Sequence, residues 1–372
     1  MRILHLHSGN IFGGIESMLT TIARQRGRAT RVEHEFALAF DGRLAAELTD
    51  AGAPPALLGP VRLAHPWTVR RARRALADLL AAARPDAVVT HLPWTHAVFA
   101  PEIGPSRSRT VLWLHGPATG MLHRWAMLTP PDAVISNSAF TESSLPSRYR
   151  RLPRAVVHCP LSAPLARTRS ERAHTRATLS TAPDAVVLLQ ASRLERWKGH
   201  EVLLRALAQV ANVPCWAAWI AGGAHRPGER RYEQQLRSLA RELGIAPRVR
   251  FLGEQTDVAR LMAAADVYCQ PNTAPEPFGL ACVEALYAGL PVVGTDAGGV
   301  REIVTSECGV LLPAGGVDAV AAAIRDLLQD PVRRQQLGAA GPARAASLCD
   351  PARQLRRLEQ FVDGFADRRG AA

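Results

Sequence analysis

Short apolar runs alternate with helical patterns from one end of this chain to the other, and few architectures satisfy that alternation. In the first half the runs fall at 3–8, 35–40, 87–91, 110–115, 133–137 and 155–159, with helical spacing of apolar residues at 15–26 and 68–83 between them. In the second half they fall at 185–191, 215–221, 248–252, 266–270, 291–295 and 309–312. Such short apolar runs alternating with helices are the mark of a parallel sheet whose two faces are both covered by helices. An Arg/Ser/Thr/Pro-rich stretch at 160–183 separates the halves and reads as a linker. The fold class is therefore α/β, with two doubly wound Rossmann-like domains. The chain beyond 330 is helical. Such sheets bind ligands at the carboxyl ends of their strands, and two facing one another would enclose a cleft.

Composition narrows the function classes. Of 372 residues, 47% are hydrophobic and 21% charged, which excludes a disordered or fibrous chain. No uninterrupted apolar stretch approaches the ~18–20 residues of a membrane span. Met1-Arg2-Ile3-Leu4-His5-Leu6-His7 reads as an immediate strand and not as a leader, so the expected location is cytoplasmic. The net charge of +12 predicts attraction to polyanions. The six cysteines form no C-x-x-C pair, which argues against a disulfide framework and a cysteine zinc site. His5, His7, His91, His96 and His115 have no carboxylate or cysteine ligand paired with them in sequence, so no metal is expected.

Of the 45 basic residues, only Lys198 is a lysine. A chain that otherwise writes arginine has kept a compact point charge in place of a planar fork. Chance is the plain alternative, and the surroundings weigh against it. Lys198 shares with Arg193 the loop Ser192-Arg193-Leu194-Glu195-Arg196-Trp197-Lys198-Gly199, after the run at 185–191. Two cations at that place suit a diphosphate.

Two further loops carry chemistry. In Ser8-Gly9-Asn10-Ile11-Phe12-Gly13-Gly14-Ile15-Glu16, a strand runs into a glycine turn that opens a helix. Free N–H groups there suit an anion, or the glycines make only a tight turn. The spacing is not G-x-G-x-x-G, which disfavours a nicotinamide dinucleotide. After the run at 266–270, Glu276 precedes a helix expected to begin near Phe278, and Glu284 lies two turns further on. Both could be ordinary loop and helix carboxylates, but Glu284 stands in a mostly apolar helix, where a carboxylate needs a partner. A carboxylate at each end and the N–H groups of Phe278, Gly279 and Leu280 between them suit a sugar nucleotide.

These motifs resemble the retaining glycosyltransferases of family 4, the group 1 glycosyl transferases, which have the GT-B fold. The resemblance rests on Arg193, Lys198-Gly199 and Glu276-Pro277-Phe278-Gly279-Leu280 with Glu284. It extends through Gly13-Gly14-Ile15-Glu16, His115-Gly116, Ser136-Asn137-Ser138, Phe251-x-Gly253 and Gly298-Gly299-Val300-Arg301-Glu302, in family order. It implies that residues 1–162 bind the acceptor and 163–351 the nucleotide sugar, with about 352–372 crossing back onto the first domain. By the same resemblance, Arg193 and Lys198 would hold the donor diphosphate. Glu276 and the amides of Phe278, Gly279 and Leu280 would hold the sugar, and Glu284 the ribose. The base would rest near Gly253, Glu254 and Gln255. Gly14 would lie by the phosphate, and His115 would reach the donor sugar.

The implied activity is transfer of a sugar, a hexose, from a UDP- or GDP-linked donor to a hydroxyl acceptor. That acceptor would be a cell-envelope glycan, glycolipid or polysaccharide precursor. The chain lacks a D-x-D motif, and its cations can replace a divalent metal, so no cofactor is expected. The rival readings are a non-catalytic sugar-nucleotide-binding protein and a same-fold nucleotide-sugar epimerase. No nucleic-acid-binding module is recognisable. Arg70, Arg71, Arg73 and Arg74 lie beside an apolar stripe of Val69, Ala72, Leu76, Leu79, Leu80 and Ala83. With Arg148, Arg150, Arg151 and Arg154, they suggest peripheral contact with an anionic membrane at its inner face.

Overall fold

The computed structural model describes residues 1–9, 13–27, 32–224 and 226–366. The chain divides into two compact units, Met1–Ser162 with Cys349–Ala372, and Ala163–Leu348. The return to the first unit comes at Cys349, slightly before the expected 352. Asn10, Ile11 and Phe12 of the glycine turn, and 367–372 of the returning tail, lie outside the described residues.

The first unit holds seven strands: β1 (Arg2–His7), β2 (Glu33–Leu38), β3 (Ala56–Leu57), β4 (Ala87–His91), β5 (Arg109–Leu114), β6 (Ala133–Ser136) and β7 (Arg154–Val156). They lie in the order β3-β2-β1-β4-β5-β6-β7, and every pair is parallel. Apolar runs form these strands because helices bury both faces of the sheet. The two-residue β3 is too short to show any period, and no strand was expected there. The edge strand β7 stops at Val156, short of the expected 159.

Helix Pro66–Ala83 packs Val69, Ala72, Leu76, Leu79 and Leu80 onto this unit's core. The stripe that suggested a membrane face is thus largely spent on the sheet. Helix Pro351–Ala366 packs on helix Gly14–Gln25 and buries Leu355, Leu358, Val362 and Phe365. That spacing is the apolar face of one amphipathic helix, and it fixes the crossing back of the chain's end.

The second unit holds β8 (Val186–Ala191), β9 (Trp216–Ala221), β10 (Val249–Gly253), β11 (Val267–Gln270), β12 (Val292–Thr295) and β13 (Gly309–Leu312). Their order is β10-β9-β8-β11-β12-β13, again all parallel. Leu188, Leu203, Leu207, Trp216, Ile220 and Ile324 centre its core. The expected linker is only partly irregular, because it contains helix Arg169–Thr178, closed by a capping box of Thr168 and Glu171. Only Thr175 and Arg176 are buried on that helix, so no apolar stripe betrays it. Ion pairs hold it instead: Arg172 meets Asp266 at 2.6 Å, and Arg176 reaches Asp266 and the carbonyls of Ala264 and Ala185.

Candidate active site

The strand order of the second unit reverses between β8 and β11, and the loops after these two strands carry its candidate residues. Their backbones touch. Thr273 N–H donates to the Trp197 carbonyl at 2.8 Å. Gly199 stands at φ +74°, where a Cβ would sit 1.8 Å from the Pro271 oxygen. Only glycine fits so close an approach.

Across this junction, Lys198 Nζ donates to Glu276 Oε2 at 2.7 Å, the two side chains being 12% and 11% exposed. Gln270 Nε2 and Asn272 Nδ2 each donate to the same oxygen at 2.8 Å. Gln190 Nε2 holds the Lys198 carbonyl at 2.7 Å, and the Trp197 ring lies 4.0 Å from the ammonium. A third loop fixes the Glu276 backbone. Gly299 N–H donates to its carbonyl at 2.7 Å, and Gly298, at φ +79°, has no room for a Cβ beside it. Glu276 Oε1 accepts no hydrogen bond among the described residues.

The two cations expected together are paired with different carboxylates. Arg193 is 57% exposed and pairs with Glu195 Oε1 at 2.9 Å, while Lys198 pairs with Glu276. A nearly buried ammonium needs a counter-charge, and the carboxylate supplies it. The helix after Glu276 begins at Leu280, later than expected, because Gly279 is held left-handed at φ +110°. Phe278 is therefore a buried anchor ahead of the helix. The N–H groups of Leu280 and Ala281 have no partner within the first turn.

Glu284 is half-buried on that helix, has no hydrogen-bond partner among the described residues, and burial pushes its carboxyl up to about 7. Its native state holds more protons than its unfolded state between the ordinary value of 4.5 and about 7, so stability falls as pH rises through that window. Urea melts should lose ~1–3 kcal/mol from pH 4.5 to 7.5 from this group, and Glu284→Gln should flatten that loss. An equal loss in the variant would show that the carboxyl is not raised.

Gly253 and Glu254 lie at the carboxyl end of β10, where the Gly253 carbonyl takes the Gly222 N–H at 2.8 Å. All the second unit's donor-site candidates thus emerge from one edge of one sheet. In the first unit, Gly14 opens helix Gly14–Gln25, and His7 Nε2 meets Glu16 Oε1 at 2.6 Å beside it. His115 directly follows β5 and stacks on Trp113 with centroids 5.5 Å apart. Burial, with His7 nearby, pushes its pKa down to about 3. Among the described residues, no group of three or more His, Cys, Asp or Glu is arranged to hold a metal ion.

The sequence reading missed Gln190, Gln270, Asn272 and the part Gly298-Gly299 plays behind Glu276. The available signal was a polar residue closing an apolar run, Gln270 at the end of β11.

Residues 171–344 match the family model described as glycosyl transferases group 1. The lipopolysaccharide core biosynthesis glycosyltransferase LpsD of Rhizobium meliloti is 36% identical over 167 residues, 45% of this chain and 46% of that protein. A GDP-mannose-dependent monoacylated alpha-(1-6)-phosphatidylinositol monomannoside mannosyltransferase of Corynebacterium glutamicum is 30% identical over 259 residues, 63% of this chain and 65% of that protein. The chain thus spans between about half and two thirds of these curated relatives. Over 98% of this chain and 100% of the other, the structure of Anabaena HepE in complex with UDP-glucose superposes with a TM-score of 0.84 at 26% identity. WaaG, a glycosyltransferase involved in lipopolysaccharide biosynthesis, shares the fold with a TM-score of 0.65 at 17% identity. Residues 171–344 thus match the group 1 glycosyl transferases, and the chain has the GT-B fold of its structural neighbours.

Proposed function

We propose that this protein is a retaining glycosyltransferase that moves a hexose from a nucleoside-diphosphate sugar to a hydroxyl of a cell-envelope glycan, glycolipid or polysaccharide precursor. The observation that carries the reading is the sole lysine, held 2.7 Å from Glu276 on the loops at the switch point of the second unit. In this reading the donor diphosphate takes the remaining N–H bonds of Lys198, and Arg193 turns to it from Glu195. Glu276 Oε1 and the amides of Phe278, Gly279 and Leu280 take the sugar hydroxyls. Glu284 takes the ribose, Gly253 and Glu254 border the base, Gly14 serves the phosphate, and His115 serves the sugar. HepE was solved with UDP-glucose and the Corynebacterium relative depends on GDP-mannose, which supports a UDP- or GDP-linked donor.

The chemistry follows from the charges. As the bond between C1 and the phosphate oxygen breaks, the departing nucleoside diphosphate gains negative charge. Lys198 is a preorganised donor for it, and Arg193 joins it. The acceptor hydroxyl bonds to C1 on the face the phosphate leaves, and its proton passes to the departing phosphate oxygen. No separate general base is required, and the configuration at C1 is kept.

A screen of UDP- and GDP-hexoses by thermal shift, followed by product analysis with envelope acceptors, tests this reading. Sugar transfer supports it. Binding without turnover favours a non-catalytic protein, and donor isomerisation or hydrolysis without an acceptor favours an epimerase. Activity should survive EDTA, because Lys198 supplies the charge a metal would bring. Loss on chelation, restored by Mg²⁺ or Mn²⁺, would overturn the role given to Lys198.

No described helix is long and apolar enough to cross a membrane. We place a peripheral contact with anionic lipid on the first unit, where Trp67, Met121, Leu122 and Leu128 are exposed near basic residues in sequence. Each basic residue at such a surface contributes about 1 kcal/mol. Co-sedimentation with anionic vesicles at low salt, lost at high salt and absent with neutral vesicles, is the expected result. Indifference to lipid charge would contradict it.

A further inference from the structure

Four buried or half-buried histidines form one unbroken row across the first unit's sheet. His34 Nδ1 meets His5 Nε2 at 3.0 Å, His5 Nδ1 meets His91 Nε2 at 3.0 Å, and His91 Nδ1 meets His115 Nε2 at 3.0 Å. They come from β2, β1 and β4 and from the residue after β5, which are neighbours in that order. Ile3 pairs with His34, His5 with Val89, and His91 with Trp113. Each histidine therefore lies two residues nearer the carboxyl edge than the one before, so all four share a face. The stacking repeats too, with centroids 5.2, 5.3 and 5.3 Å apart and planes 25° apart at every step.

Neither end of the row is hydrogen-bonded among the described residues. At the inner end, His34 Nε2 faces Glu359 Oε1 of helix Pro351–Ala366 at 3.6 Å, and neither buried atom has a hydrogen bond among the described residues. At the outer end, His115 Nδ1 is buried without a partner among the described residues. Burial and mutual repulsion hold His5 and His91 well below the ordinary histidine range. Beside the row, His7 Nε2 meets Glu16 Oε1 at 2.6 Å.

Neutral rings carry one N–H each. Three gaps, each holding one proton, use three of the four. The fourth must sit at one end, on His34 Nε2 or on His115 Nδ1. Moving it from one end to the other reverses every bond between, so the row has two proton orders and no satisfied mixture of them. A carboxylate at the inner end selects the order with the proton on His34 Nε2.

We propose that Glu359 is a positioning residue for His115: through this row it fixes the His115 proton on Nε2 and leaves Nδ1 as a bare acceptor for a hydroxyl. The use of that acceptor rests on the reading that His115 serves the donor sugar. A bare nitrogen accepts a sugar hydroxyl and repels a carboxylate in its place, so Glu359 would also set the preference for neutral hexoses.

The test is long-range ¹H–¹⁵N spectroscopy of histidine-labelled protein at pH 7.5 without donor, with His115 assigned by its loss in His115→Asn. The expected wild-type signal is a protonated Nε2 and a bare Nδ1. Glu359→Leu, and separately His5→Phe, which cuts the row, should mix or reverse that signal. A protonated Nδ1 in the wild type, or an unchanged signal in a folded variant, would overturn the proposal. Donor kinetics separate the two layers: Glu359→Leu should raise the donor KM about tenfold, the loss of about one hydrogen bond. If His115→Asn leaves the donor KM and kcat unchanged while the spectra behave as expected, the coupling stands and the donor contact of His115 is wrong.

Discussion

Replacing Lys198 with alanine should lower the turnover number about 10²–10³-fold, the loss seen when one preorganised charge donor is removed from a developing anion. The geometry makes the effect more than a lost contact. Lys198 Nζ lies 2.7 Å from Glu276 Oε2, so truncation removes the charge offered to the phosphate and loosens the carboxylate offered to the sugar. Gln270 and Asn272 still hold that oxygen, so the fold should survive while turnover falls. Lys198→Arg should also be impaired. The ammonium sits in a small space between the Trp197 ring and Glu276, and a planar fork does not fit the place of a point charge. Steady-state kinetics with melting curves for both variants checks this. Near-normal turnover in the alanine variant would remove Lys198 from the site.

The second large effect is expected at Gly199. A Cβ there would lie 1.8 Å from the Pro271 oxygen and 2.5 Å from its carbonyl carbon, with φ at +74°. Gly199→Ala must therefore push the loop after β8 off the loop after β11, parting Lys198 from Glu276. Left-handed backbone alone costs about 1–2 kcal/mol for a residue with a Cβ. Gly253→Ala supplies that comparison, since Gly253 has φ +66° and nothing within 4 Å of the added atom. Gly199→Ala should lower the melting temperature clearly more than Gly253→Ala and abolish turnover. Equal shifts for the two would contradict the close approach.

The strands were legible because burial on both faces leaves apolar runs in the sequence. The strand β3, at two residues, leaves none. Helix Arg169–Thr178 was hidden because Arg172 and Arg176 tie it to Asp266, a residue far along the chain. Lys198 stood out through the arginine bias around it, and Glu276 through the motif it belongs to. The amides of Gln270 and Asn272 looked like any polar residues at a strand end, and what distinguishes them is that both point at one carboxylate oxygen. The histidine row was illegible for a topological reason. Its members are scattered between His5 and His115, and only the order β2-β1-β4-β5 with its register makes neighbours of them.

Retaining transfer without a metal can be followed with UDP- and GDP-hexoses, α-linked and labelled with ¹³C at C1, by NMR in EDTA with envelope acceptors and the protein present. One donor should give a new α-anomeric signal joined to the acceptor, with release of the nucleoside diphosphate. A β-anomeric product, or a bound donor that yields no acceptor-linked sugar with any acceptor tried, would contradict it.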